Sequence, residues 1–243
     1  MFQAFFDKTL GFMLTWDPLW AILLLSFVIS LLIVIIYKYF TNQEEMKQFK
    51  DQLKEYQKQM KTEKDTEKLL KLQKDAMSLN MKYMGKSMKP TLITFIPIIL
   101  IFGWMSAHFA YEPLLPEQEF NLTVTTAKGI EGNVTITVPE GLEIIGEKTK
   151  EISDRTAAFT LKGTEGEYYA TLASNGQEID KKIIITTERR YATTPESYKS
   201  EVFKTVMLGN KTLKVFWKLS WIWVYIISAI LFSMGMRKVM NVY

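Results

Sequence analysis

Three long apolar runs, Leu19 to Tyr37, Thr91 to Phe109 and Leu219 to Met236, contain no Asp, Glu, Lys or Arg. Each is long enough, at 1.5 Å per helical residue, to cross a hydrocarbon core about 30 Å thick. The sequence therefore predicts an integral membrane protein with three spans. Two unlike spacers separate the runs, one rich in Lys and Met with helical periodicity, the other β-patterned with turn signals. The expected fold class is a membrane α-helical three-span bundle with a cytoplasmic helical hairpin and an inserted extracellular small antiparallel β-sandwich. Its expected parts are an N-terminal outer interfacial segment (1–17), a first span (18–40), the coiled-coil hairpin (41–89) and a second span (90–110). The β-sandwich with its return linker (111–215) and a third span with a cytoplasmic tail (216–243) follow.

Charge sets the expected orientation. A mean hydropathy of +0.01 and a net charge of +4 conceal a split between the spacers. Lys38 to Lys89 holds 13 basic and 8 acidic residues, whereas Tyr111 to Val215 holds 13 basic and 16 acidic. The positive-inside tendency places the first spacer in the cytoplasm, and Arg237 and Lys238 after the third run agree. The expectation is a multi-pass protein of the plasma membrane, N-terminus outside and C-terminus inside. Trp16, Trp20, Trp104, Tyr111, Trp217, Trp221 and Trp223 then fall toward the outer interface, with Tyr37 and Tyr39 inside. With no basic segment or small-residue cleavage site before it, the first run reads as a retained anchor. Phe2, Phe5, Phe6 and Phe12 suit an outer interfacial segment.

The first spacer must leave the membrane and return, which two antiparallel helices do with few exposed backbone groups. Met46, Phe49, Leu53, Tyr56 and Met60 alternate spacings of three and four, as do Leu69, Leu72, Ala76, Leu79 and Tyr83, giving each arm a seam. Lys61 to Thr66 forms the tip, with Asp65 or Thr66 as the cap of the returning arm. That arm carries a further apolar row, Leu70, Met77, Met81, Met84 and Met88, with no matching row on the first. Unbranched, polarizable methionines suit a surface that accepts apolar segments of many shapes. Packing on the spans, on lipid or on a second copy is the alternative use. The lysines on the other faces fit the anionic inner leaflet or ribosomal RNA, or are a solvated helix face.

Within the spans, Pro90 is expected to end the hairpin arm and start the next helix, and Pro97 to kink the second span and open a gap between helices. Ser26 and Ser30, Thr91 and Thr94, and Ser228 and Ser233 either line a shallow recess or hold helices together. No buried charge marks an ion path or proton relay. Catalysis finds no support either: there is no cysteine, and the lone histidine, His108, sits at the outer end of the second span as an interfacial residue. No catalytic site, metal site or cofactor is expected.

From Phe120 to Glu188 the pattern has period two, with six or so short strands rich in Thr, Val and Ile and the tight-turn pair Asn175-Gly176. This is the expected immunoglobulin-like sandwich, without a disulfide. Arg189 to Lys214 is expected to return to the membrane with a short helix after Pro195. Asn121, Asn133 and Asn210 begin Asn-x-Thr sequons, candidate glycosylation sites in the segment assigned outside.

The hairpin running into MKYMGKSMKPTLITFIPIILIFGWM, followed later by WIWVYIISAILFSMGMRKVM, resembles the archaeal YidC-like membrane proteins of the YidC/Oxa insertase superfamily. The resemblance covers about Leu19 to Trp104 and Leu219 to Val239. It implies a three-helix core with a groove open to cytoplasm and lipid, and insertion of nascent membrane segments without ATP. By position, Ser26, Ser30, Thr94, Pro97 and Ser233 are the implied groove residues, and Met77, Met81, Met84 and Met88 the implied client-binding row. Bacterial relatives place an arginine in the groove. The first span here has none, and Lys38 and Lys89 at the rim are the nearest substitutes.

The function expected is a membrane protein insertase or chaperone that takes nascent apolar segments from the hairpin into the groove. Its expected partners are nascent membrane proteins, the bilayer, the ribosome through the Lys-rich hairpin, and a second copy or partner subunit. The alternative is a cell-surface binding or scaffold protein whose outer β-domain is the binding module.

Overall fold

A computed structural model describes residues 2–242, without the side chains of Phe2 and Gln3; Met1 and Tyr243 lie outside the described residues. The chain forms two compact units, Met1–Gly103 with Trp221–Tyr243, and Trp104–Ser220.

The helical unit begins with α1 (Phe2–Leu10) and a 3-10 turn, Gly11–Thr15, in which Met13 is buried while Phe5 and Phe12 are exposed. Next comes α2 (Pro18–Phe40), started by the Asp17 carboxylate accepting from the Leu19 amide at 2.8 Å with Pro18 in the first turn, where its missing N–H costs nothing. Asn42 caps α3 (Gln43–Thr62) by accepting from the Glu44 and Glu45 amides. The hairpin turns at residues 63–65, where the Glu63 side chain accepts two backbone amides and Asp65 accepts from Glu67 at 3.0 Å. The expected tip and cap are thus found in place.

From there one helix, α4 (Thr66–Phe109), runs 44 residues without a break. Pro90 therefore does not end the hairpin arm, and the helix also continues through Pro97. An interior proline removes one hydrogen bond, a loss of about 3 kcal/mol in an isolated helix. Pro90 is buried, and packing of this kind holds helical geometry through a proline. The last helix, α5 (Trp221–Met240), completes the three helices apolar and long enough to cross a membrane.

The central helix is α2, the most buried of the three. Its face of Ala21, Ile22, Leu25, Ser26, Ile29 and Ser30 packs against α5, which buries Trp221, Val224 and Ser228. Phe27 and Phe232 add an edge-to-face pair at 5.5 Å.

The second unit holds β1 (Phe120–Thr126), β2 (Asn133–Thr137), β3 (Leu142–Ile145), β4 (Thr149–Glu151), β5 (Thr156–Gly163), β6 (Gly166–Ser174) and β7 (Gln177–Ile185). It continues with β8 (Glu196–Ser197), β9 (Phe203–Leu208), β10 (Lys214–Phe216) and β11 (Leu219–Ser220). Two antiparallel sheets, ordered β3-β5-β1-β9-β8 and β4-β2-β6-β7, share one apolar core that includes Leu122, Phe159 and Val206 from the first and Val134, Leu172 and Ile183 from the second. The first strand lies in the middle of its sheet. That order departs from the expected immunoglobulin arrangement, in which the first strand is at an edge, and the two sheets do not close into a sandwich. The return segment is also corrected: where a linker with a helix after Pro195 was expected, β8 and β9 form, and β9 pairs with β1 from Leu122↔Leu208 onward. Asn175 and Gly176, with φ of +46° and +73°, make the two-residue turn between β6 and β7.

Lys181, fully buried, joins the sheets where β7 and β8 are edge strands. Its ammonium donates to Glu196 at 2.6 Å and to the Thr193 carbonyl. Burial pushes this ammonium below its ordinary pKa of 10.5, and the Glu196 carboxylate only partly restores it.

Candidate functional site

The most unusual surface of the helical unit is one side of α4. Met77, Met81, Met84 and Met88 are all exposed, at 49 to 71%. Because the helix is unbroken, the same side continues into the span as Leu92, Phe95 and Ile99, each at least half exposed. Spacings of four, three, four, four, three and four keep the seven residues on one face over 22 residues, about 33 Å. Ile96, also exposed, widens the band. Sequence reasoning found the methionine half and missed the rest, because Pro90 was read as a break. The signal was present in the spacing of Leu92, Phe95 and Ile99 after Met88.

The first arm does not cover this stripe. The seam residues Phe49, Leu53, Tyr56 and Met60 on α3 and Leu69, Leu72, Ala76, Leu79 and Tyr83 on α4 are half-buried. A Lys86–Glu45 ion pair at 3.1 Å ties the arms near their base. Farther out, Leu53, Met60, Ala76 and Met77 border an open notch between them.

The base of the hairpin is fixed by a shared apolar cluster. Val34 and Tyr37 of α2, Met46 and Phe49 of α3, Tyr83 of α4, and Met236, Met240 and Val242 pack together there. The Tyr37 hydroxyl reaches Ser87 and Tyr83, its carbonyl accepts from Gln43, and the Arg237 guanidinium lies 4.9 Å over its ring. All three long helices and α3 thus meet at one residue. At its other end α4 meets α5, where Phe102 packs against Trp221 and Tyr225.

The span hydroxyls have structural partners. Ser228 donates to Ser26 at 2.9 Å, Ser26 bonds its own helix at Ile22, and Ser30 reaches the Ala229 carbonyl at 3.3 Å. These serines are buried in the α2–α5 seam. Thr94 is buried and bonds back to Thr91, while Pro97 and Ser233 are half-buried. Lys38 and Lys89 are exposed.

In the second unit, Asn121 and Asn133 are exposed, whereas Asn210 donates to the Glu112 carbonyl and buries its Oδ1 without a partner. As folded, that third sequon is closed. Trp104, expected at an interface, is buried, with its ring tilted against His108 and edge-to-face with Phe109. His108 faces the Arg189 carbonyl through Nδ1 at 3.3 Å, and Arg189 lies over Phe109. The Tyr191 hydroxyl donates to the Ser106 carbonyl and accepts from the Ala110 amide, satisfying the end of α4; burial pushes its pKa up to about 12. Among the described residues no group of His, Cys, Asp and Glu is arranged to hold a metal.

A family model described as integral membrane protein EMC3/TMCO1-like matches residues 5–149, from α1 through the hairpin and the end of α4 to the start of β4. No curated protein and no solved structure matches the chain.

Proposed function

Because the chain belongs to the EMC3/TMCO1-like family of integral membrane proteins, within the Oxa1/YidC/Alb3 insertase superfamily, we propose that it inserts nascent apolar segments into the membrane. The observation that carries this reading is the continuous exposed stripe from Met77 to Ile99 on a single helix. An emerging segment first contacts the methionines, whose flexible thioethers adapt to its shape, and then slides along the same face into the hydrocarbon. The polar flank of a client meets the largest barrier, since a charged residue costs several kcal/mol or more at the bilayer centre. The groove in this reading lies beside α4, which meets α2 at the hairpin end and α5 near Phe102. Thr94, Pro97 and Ser233 flank it, while Ser26 and Ser30 hold its back wall together. Lys38 and Lys89 mark its rim. No covalent step is involved, so the protein acts as a chaperone and not as an enzyme. The hairpin faces the cytoplasm of a plasma-membrane protein, where its lysines meet the inner leaflet or ribosomal RNA.

The test is reconstituted insertion of an apolar client by the intact chain and by a variant with Met77, Met81, Met84 and Met88 all changed to Ser. Insertion by the variant is expected to fall at least about tenfold, since losing about 1.4 kcal/mol of client contact already gives that factor. Photo-crosslinkers at Met84 and Ile99 should both capture the client. Crosslinks confined to lipid or to the chain itself would remove the basis of the proposal.

The independent core of the second unit favours a second reading, a surface binding or scaffold protein. Under it, replacing the hairpin by an unrelated coiled coil leaves function intact.

A further inference from the structure

In the second unit, β10 and β11 form a small two-stranded sheet of their own, in which Lys214 pairs with Ser220 and Phe216 with Leu219. Trp217 and Lys218 are the two-residue loop between the strands. Where such a loop needs a positive φ it favours glycine, yet Trp217 holds φ at +52°, a conformation that crowds the Cβ of any side chain. The same side chain is 85% exposed. Phe216 beside it is 55% exposed, and Lys214 and Lys218 are exposed as well. Neither the turn nor the packing of the unit accounts for a tryptophan at this position.

The place of the hairpin in the chain supplies a reason. Ser220 is bonded to Trp221, the first residue of α5, a helix long and apolar enough to cross a membrane. Trp217 is three residues from Ser220, so at most about 11 Å away, and strand pairing holds Lys214 about 5 Å from Ser220. Two aromatic rings and two lysines thus lie close to where a span leaves the hydrocarbon. That layer suits them: a Trp ring is apolar with one polar edge, and a lysine stem can stay in apolar surroundings while its ammonium reaches the headgroups.

We propose that the β10–β11 turn is a lipid-docking element, with Phe216 and Trp217 inserted at the headgroup–acyl boundary of the leaflet where α5 begins and Lys214 and Lys218 at its phosphates. The bilayer is favoured as occupant because the covalent link to α5 keeps the turn beside it. Docking gives the second unit a hold on the membrane besides its two chain connections. It rests on α5 as a span and not on client insertion, so neither result decides the other.

The experiment places a nitroxide on Phe216→Cys in the full chain, in nanodiscs containing equal amounts of phosphatidylglycerol and phosphatidylcholine. The chain has no cysteine of its own, so the label is unique. Collisions with lipid-soluble oxygen are expected to exceed those with a water-soluble nickel chelate, and the reverse is expected for a label on Lys128→Cys, an exposed turn residue. A Phe216 label that meets the chelate freely, or that meets neither reagent because protein covers it, overturns the proposal. Adding Trp217→Gly should shift the Phe216 label toward the chelate, while Trp217→Tyr should keep it with oxygen; an unchanged label in the glycine variant overturns the docking role. Lys214→Ser with Lys218→Ser should give a smaller shift in the same direction, and its absence overturns the phosphate contact. Because glycine suits a positive φ, Trp217→Gly should melt no lower than the wild type in detergent; a lower melt would mean that Trp217 packs on its own chain and would overturn the proposal. If the label at residue 216 disturbs the chain, unlabelled protein decides: brominated lipid should quench more tryptophan emission in the wild type than in Trp217→Gly, and equal quenching overturns the inference.

Discussion

Lys181 illustrates what a single residue contributes. A fully buried ammonium is costly unless paired, and here the Glu196 carboxylate and the Thr193 carbonyl compensate it. Glu196→Gln leaves the charge buried with a neutral partner. Removing one member of a fully buried pair costs about 3–5 kcal/mol; with the Glu196 side chain 36% exposed, the expected loss is smaller, about 2 kcal/mol. Lys181→Met, which removes the desolvated charge and leaves Glu196 in contact with water, should cost less. Urea unfolding of the two variants checks the order. The pH dependence has a definite sign. Since the folded chain holds the Lys181 proton less tightly than the unfolded chain, this group adds stability as pH rises through its lowered value toward 10.5. The contribution should disappear in Lys181→Met. Neither the pairing nor the burial was visible in the sequence, where Lys181 is one charged residue in a β-patterned stretch.

At the scale of elements, the continuity of α4 matters most. If the client follows one stripe across residue 90, the rotational phase between Met88 and Leu92 must be kept. Two alanines inserted after Lys89 rotate the span face by about 200° relative to the methionines, whereas four rotate it by only about 40°. Insertion activity should be lost with two and largely kept with four, both variants retaining the whole methionine row. Equal activity of the two in the reconstituted assay would mean that the halves of the stripe act separately. The helix start at Asp65 and the turn at Asn175-Gly176 were legible because each depends on residues within one turn of the chain. Pro90 differs for a related reason. A local rule treats it as a boundary, but it is buried and the helix runs through it, an outcome that the residues next to it in the chain do not set.

For the whole molecule, the division into two units makes a prediction about fragments. The β unit owns its core and draws the end of α4, β9 and the Tyr191 cap into one network. A fragment of residues 104–220 should therefore fold alone and melt cooperatively, while one of residues 104–190 should not, because it lacks β9, which pairs with β1 and buries Phe203, Val206 and Leu208. Circular dichroism melts of the two fragments check this. A cooperative transition in the shorter one would mean that β9 is peripheral to the core.

Membrane residence, the number of spans, the hairpin with its tip, and the presence of a β region all follow from sequence alone. Each rests on hydropathy, periodicity or capping, properties set by neighbours a few positions apart. Tertiary structure alone decided that the methionine row and the span share one face, that Ser26, Ser30 and Ser228 stitch α2 to α5, and that a presumed linker supplies a strand next to β1. These outcomes depend on which of many chemically acceptable partners, dozens to about two hundred residues away, comes within hydrogen-bonding or van der Waals reach once the chain has packed.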